Sequence, residues 1–434
     1  MATVLSFIFS PNSRASSNLI NFAGNDAFLS NFFTFALAKK TVLICRSFLI
    51  LKLTYVCLHC NIIIEPITKE IIMNSRERCK IAMKGGKPDC VPVIPQICHP
   101  HSIKVLGLDF RKTMIDVAKN PLLASKLQVE CARYYGVDGV RIWIHHNRSI
   151  DLYDDGENVW EIDSKGNRIA RLDFRGGGWM IPVEEKISVE NESDIHKIQV
   201  VPASLLLKTS EFKEIEKLVN DAKKDLFVIT SPGAFTIEFV TTVRGKLQTF
   251  YDMIERPQFI KKIMQRATEA AIEKAIAMIE IGIDALYIGE TFGGVIGPDA
   301  FKEFCVPYFK MFVDRIKKYD VCIYLHVCGN SNQLFELMAE TGVDCIEPLD
   351  PLGGVKISDA KQRLKGKTSI MGGVNTVLLA HGTLEEVKQD IERCLSEGAP
   401  DGGYILACGD MLPTETSPEK VFEMVKAAHS FVYQ

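Results

Sequence analysis

Eight apolar, β-rich runs recur along the chain with helix-length segments between most of them, and this rhythm limits the folds available. The runs span residues 91–97, 137–144, 226–231, 285–289, 321–327, 345–349, 368–372 and 403–407. Amphipathic stretches at 122–135, 257–281, 298–319, 332–341 and 383–397 read as helices between them. Hairpins need only a few linking residues, so spacings this long imply parallel pairing through crossovers. Eight such strands predict an α/β chain folded as a (β/α)8 TIM barrel rather than an open sheet. The rhythm breaks from residue 151 to about 210. There, residues 160–163 and 167–172 read as a hairpin turned by Ser164-Lys165-Gly166. This is the signature of an insertion after the second strand, placed where it could serve as a lid.

The first 72 residues do not share this pattern. They are rich in Phe, Leu and Ile and hold six Lys/Arg against three Asp/Glu. Arg46 and Lys52 interrupt the longest apolar run, which falls short of the roughly 18 residues a membrane span needs. Met73 precedes Asn74-Ser75-Arg76-Glu77-Arg78, an ordinary charged helix start. The expectation is a translation start at Met73, with 1–72 a non-native extension and 73–434 one barrel domain. From Met73 onward the chain has 45 Lys/Arg and 51 Asp/Glu, a net charge of −6, which argues against a nucleic-acid partner. The 13 cysteines are odd in number and irregularly spaced. They read as reduced thiols of a cytoplasmic protein without a membrane anchor.

In a parallel barrel the chemistry sits at the carboxyl ends of the strands. His326-Val327-Cys328 ends the fifth run, and residues two apart on a strand project to one face. Cys408 ends the eighth run and could reach the same mouth from another side. One imidazole and two thiolates form a borderline-soft set suited to Zn²⁺, and three protein ligands leave a fourth position open. Two thiolates cancel the ion's charge, which favours activation of a thiol for attack on a methyl group over hydrolysis by water. The competing reading is that these are core residues, since a lone H-x-C is a weak signal and buried Cys is common.

At these residues the chain resembles the uroporphyrinogen decarboxylase superfamily. The likeness runs from Met73 to Gln434 through Asp89-Cys90-Val91-Pro92-Val93, Ser231-Pro232-Gly233-Ala234-Phe235-Thr236, His326–Asn330, Met371-Gly372-Gly373-Val374-Asn375 and residues 408–431. Decarboxylases of the superfamily carry an Arg-rich loop after the first strand and an Asp after the second. This chain reads Gln96-Ile97-Cys98-His99-Pro100-His101 and Arg141-Ile142-Trp143-Ile144-His145-His146 there. The other branch, resembling the methylcobamide:coenzyme M methyltransferases, carries H-x-C and a further Cys about 80 residues on, all binding zinc. His326, Cys328 and Cys408 match that signature. The resemblance implies a thiol substrate and a methyl-bearing corrinoid held on a partner protein, with Glu347 as a candidate fourth ligand.

Other residues remain open between function and structure. His99, His101, His145 and His146 follow the first two runs and could line the mouth, or be wall and surface residues. Glu290 could accept a proton or orient substrate, or bond a neighbouring loop. Ser231 and Asn375 are further candidates for binding substrate or cofactor. Three functions follow: corrinoid-dependent methyl transfer, decarboxylation of a tetrapyrrole or another carboxylated ring, or a noncatalytic corrinoid- or metal-binding module.

Overall fold

The computed structural model describes residues 55–57, 62–64, 73–143, 149–185 and 187–433. The chain divides into two units, Met1–Ile71 and Ile72–Gln434. In the first, Tyr55–Cys57 pairs antiparallel with Ile62–Ile64. His145 and His146 lie outside the described residues.

The second unit is built on seven parallel strands: β1 (Gly139–Arg141), β6 (Phe227–Thr230), β7 (Ala285–Gly289), β8 (Cys322–His326), β9 (Cys345–Leu349), β10 (Ser369–Val374) and β11 (Tyr404–Cys408). They form one curled sheet in the order β11-β10-β9-β8-β7-β6-β1. Between β1 and β6 in the chain, β2 (Asp151–Asp154), β3 (Val159–Ile162), β4 (Arg168–Leu172) and β5 (Met180–Pro182) form a separate antiparallel sheet. The hairpin read at 160–172 is its β3–β4 pair.

The first of the eight predicted strands is reduced to two isolated parallel bridges, Val93 with Leu406 and Gln96 with Met411. Pro92 and Pro95 explain this, because neither can donate a ladder hydrogen bond. The segment still joins the two sheet edges. Ile94 N donates to Leu406 O at 3.0 Å on one side, and Asp138 N donates to Val93 O at 2.9 Å on the other.

Period-two alternation divides the buried residues into an inner and an outer set. Inside the curl, Ile94, Phe227, Ile229, Ala285, Cys322, Tyr324, Cys345, Met371, Ile405 and Ala407 pack together. Cys79, Ala82 and Met83 of the helix Ser75–Met83 join them from below and close the amino-terminal end. Val228, Leu286, Ile323, Leu325, Ile346, Ile370 and Leu406 belong to the outer cluster, against the helices.

The helix predicted at 298–319 is two helices, Gly293–Phe304 and Val306–Ile316. Pro307, in the first turn of the second, lacks the N–H that would have continued the first. The 332–341 stretch is a short 3₁₀ turn, Asn332–Leu334, leading into Phe335–Glu340. Among the described residues no helix is long and apolar enough to cross a membrane.

Candidate functional site

Continuing the inward parity of Tyr324 and Cys345 by two residues reaches His326 on β8 and Glu347 on β9, which pair directly in register. Tyr287 on β7 stands at the same level, and Arg141 ends β1. The four side chains form a polar layer above the apolar plug, near the carboxyl ends of the strands. Arg141 Nη2 donates to Glu347 Oε1 at 2.6 Å, with both side chains almost wholly buried. The other Glu347 oxygen holds His326 Nδ1 in a very short contact. His326 Nε2 then faces Cys328 Sγ at 3.1 Å.

The electrostatics follow from this packing. Burial alone would raise the Glu347 carboxyl, but the Arg141 and His326 charges and their hydrogen bonds hold it down at about 2. Burial would likewise lower the His326 imidazolium, yet Tyr287, Glu347 and Cys328 raise it well above the ordinary histidine range. The Cys408 thiol is pushed up to about 12, chiefly by burial.

Aromatic rings border this layer on the side of β1 and the antiparallel sheet. Tyr287 meets the His326 ring edge-on at 5.3 Å, and Trp143 meets Tyr287 at 5.7 Å. Trp179, just before β5, meets both Trp143 at 6.4 Å and His99 at 6.1 Å. Gly178 makes that approach possible: its φ is +82°, and a Cβ there would fall 2.2 Å from His99 Nε2.

The predicted ligands are only partly gathered. His326 and Cys328 meet, whereas among the described residues no group of three or more His, Cys, Asp or Glu is arranged to hold a metal ion. Strand parity explains the position of Cys408. Ile405 and Ala407 are inward on β11, so Cys408 falls on the other parity and packs with Leu406 and Leu412. It nevertheless lies within electrostatic reach of Glu347 and Arg141. In donor chemistry the His326–Cys328 pair fits zinc, and Glu347 fits the outer carboxylate that orients a metal-bound imidazole.

The remaining candidates have local hydrogen-bonding roles. Glu290 is fully buried and accepts from Thr236 Oγ1 at 2.7 Å, Glu238 N at 3.1 Å and Phe292 N at 2.9 Å. Burial raises its pKa to about 7 despite those donors. Ser231 Oγ accepts from Gly233 N, and Asn375 Oδ1 caps the helix Thr376–His381. Arg141, Tyr287, Trp143 and Trp179 were not singled out by motif. The available signal was a lone charge ending an otherwise apolar strand.

His101 is buried, with Nε2 2.8 Å from Tyr135 Oη and Nδ1 3.1 Å from Pro413 O. Burial lowers its pKa from 6.5 to about 4. On acidification the unfolded chain therefore takes up its proton first. The stability contribution is complete above pH 6.5 and is lost as pH falls through the interval to 4. That predicts a loss of about 3 kcal/mol over the interval from this residue. Urea denaturation at several pH values checks it: His101→Gln should flatten the acid slope, and an unchanged slope would refute the assignment.

A cavity of about 840 Å³ lies at the opposite, amino-terminal end of the strands, lined by Lys84, Asp344, Lys361, Ser369 and Gly402 among others. Position and chemistry separate it from the His326 layer.

Comparison with known proteins adds an independent line. The sequence profile described as uroporphyrinogen decarboxylase (URO-D) matches residues 172–431. The uroporphyrinogen decarboxylase of Pseudoalteromonas translucida is 30% identical over 179 residues, covering 40% of this chain and 49% of that protein. The match therefore spans about half of that relative's length. The Legionella pneumophila (strain Lens) protein of the same name is 22% identical over 333 residues, covering 74% of this chain and 86% of its own. A methyltransferase from Methanosarcina mazei shares the fold, with a TM-score of 0.62 at 19% identity over 82% of this chain and 98% of that chain.

Proposed function

Because the chain belongs to the uroporphyrinogen decarboxylase family, we propose that it is a zinc-dependent methyltransferase within that family. Its reaction moves a methyl group between a corrinoid carried on a partner protein and a small thiol. The observation that carries this reading is the approach of His326 Nε2 to Cys328 Sγ at 3.1 Å, with the imidazole held from behind by Glu347. Cys408, ending β11 within electrostatic reach of Glu347 and Arg141, would supply the third donor. Zinc held there supplies the Lewis acidity that keeps a substrate thiol deprotonated at neutral pH.

The chain's own residues do the remaining work. Glu347 fixes the His326 ring, and Arg141 fixes Glu347. Trp143, Tyr287 and Trp179 give the pocket an apolar wall that excludes water from the reacting sulfur. In this reading the antiparallel sheet acts as an insertion after the second predicted strand, with Trp179 at that wall. In the forward reaction a sulfur–carbon bond forms and the cobalt–carbon bond breaks. The bonding pair stays on cobalt, and the thiol proton leaves to solvent.

Zinc content tests the reading. Protein purified without chelator should hold about one zinc per chain, and Cys408→Ala should lose it. Full zinc retention in Cys408→Ala, or no zinc in either protein, would sink the proposal. The curated relatives' names support a second reading, decarboxylation of a carboxylated ring. Release of CO₂ from such a ring by metal-free protein would establish it.

A further inference from the structure

Lys84, Lys361, Lys365 and Lys367 all line the cavity at the amino-terminal end of the strands. Several lysines at this end are matched by carboxylates. Lys80 Nζ lies 2.6 Å from Asp320, Lys84 Nζ 2.7 Å from Asp344 and Lys365 Nζ 3.0 Å from Asp401. Lys361, on the helix Ile357–Leu364, is held differently. Its Nζ donates to Gly402 O in a very close contact, and it makes no ion pair among the described residues. The turn that carries this carbonyl is packed tightly against the chain at Gly86. Gly403 N donates to Gly86 O at 2.9 Å, and a Cβ at residue 402 would fall 2.4 Å from that oxygen. A carbonyl accepts from an ammonium, an amine or an amide N–H, so the bond to Gly402 does not fix the proton on Lys361.

Lys361 is half-buried, whereas Lys365 and Lys367 are exposed. The acids around it are engaged elsewhere. Asp344 takes Lys84 on one oxygen and Ile323 N, at 2.8 Å, on the other. Glu397 accepts from Ser358 N at 3.1 Å and faces Arg393. Asp401 acts on Lys361 from beyond ion-pair distance and is already paired with Lys365. Burial therefore lowers the Lys361 pKa from 10.5 to about 8; Asp401 opposes the shift, and Lys365 and Lys87 add to it. A desolvated amine beside other cations is a nucleophile at neutral pH. The setting also selects its reagent. A volume of about 840 Å³ admits a small molecule, and the ammonium groups around it favour an anion.

We propose that Lys361 is an acylation site, whose amine takes an acyl group from a small anionic donor of the acyl phosphate class. Nζ attacks the carbonyl carbon of the donor. A nitrogen–carbon bond forms, the bond from that carbon to the phosphate oxygen breaks, and phosphate leaves with the bonding pair. The amine's proton goes to solvent, and the amide N–H that remains can keep its bond to Gly402 O. The His326 layer, at the other end of the strands, takes no part.

The test is incubation of the full-length protein with acetyl phosphate, at a level that adds less than one acetyl group per chain. Peptide mass spectrometry reads the rate at each lysine, and the urea-unfolded chain gives each lysine's intrinsic rate. At pH 7 the fraction of free amine at Lys361 exceeds that of an ordinary lysine by roughly two hundredfold, and its lower basicity takes back about tenfold. Lys361 should therefore react at least about tenfold faster in the native than in the unfolded chain. That advantage should shrink at least about fivefold by pH 9.5, where ordinary lysines begin to lose their protons. Lys365→Gln, an exposed change, leaves Asp401 free to hold the Lys361 proton and should cut the rate at pH 7 about threefold. The uncharged donor N-acetoxysuccinimide separates the reactivity of the amine from the attraction of an anion. A native rate at Lys361 no faster than the unfolded one, an advantage independent of pH, or no effect of Lys365→Gln overturns the proposal. An advantage toward the uncharged ester but not toward acetyl phosphate overturns the acyl phosphate as the reagent.

Discussion

Arg141→Met alone should lose about 3–5 kcal/mol of stability, the cost of removing one member of a buried ion pair. The loss arises mainly from the group left behind. Glu347 is almost fully buried and keeps only the His326 contact once the guanidinium is gone. Adding Glu347→Gln to Arg141→Met should therefore recover more than half of the loss, even though a second native contact is removed. Urea denaturation of the wild type, both single variants and the double variant measures the coupling directly. Simply additive losses would mean that the two charges do not depend on each other, and the polar layer would have to be read differently. The experiment also bears on design: a pair that could be replaced without loss, yet is present, is consistent with a role in the site rather than in holding the fold.

The same layer shows what could be read from sequence and what could not. Seven of the eight predicted strands occur with their ends within three residues of the expected ones, because apolar runs of that length between crossovers have few other uses. The first of the eight is reduced to bridges at Pro92 and Pro95, whose missing N–H groups are visible in the sequence but count only against ladder pairing. Pro307 likewise divided a helix that amphipathic periodicity read as continuous. In the site, His326 and Cys328 were legible because both lie on one strand, where a two-residue spacing fixes a shared face. Cys408 could not be placed in the same way. Its relation to His326 depends on the inward parity of β11, which Ile405 and Ala407 set and no local pattern reveals. Arg141 carries no local signal for a similar reason: its partner, Glu347, stands 206 residues away.

That separation between local and distant contacts makes two substitutions decisive for the proposed chemistry. In an assay with methylcobalamin and an acceptor thiol, followed by the appearance of cob(I)alamin, Glu347→Gln should lower turnover about 10–100-fold. That is the usual cost of losing the outer partner of a metal-bound histidine. His326→Ala removes the inner group itself and should lower turnover by more than about a hundredfold. The order of the two effects is the informative quantity. A general loss of fold would reduce both alike and would appear in denaturation; a site in which Glu347 acts only through His326 gives a graded loss with folding intact. If His326→Ala retained most of the wild-type rate, His326 could not be holding the group that activates the thiol. If Glu347→Gln were as damaging as His326→Ala in a folded protein, the carboxylate would have to touch the metal or the substrate itself. Its two oxygens are already taken by Arg141 and His326, so the graded result is the one the geometry requires.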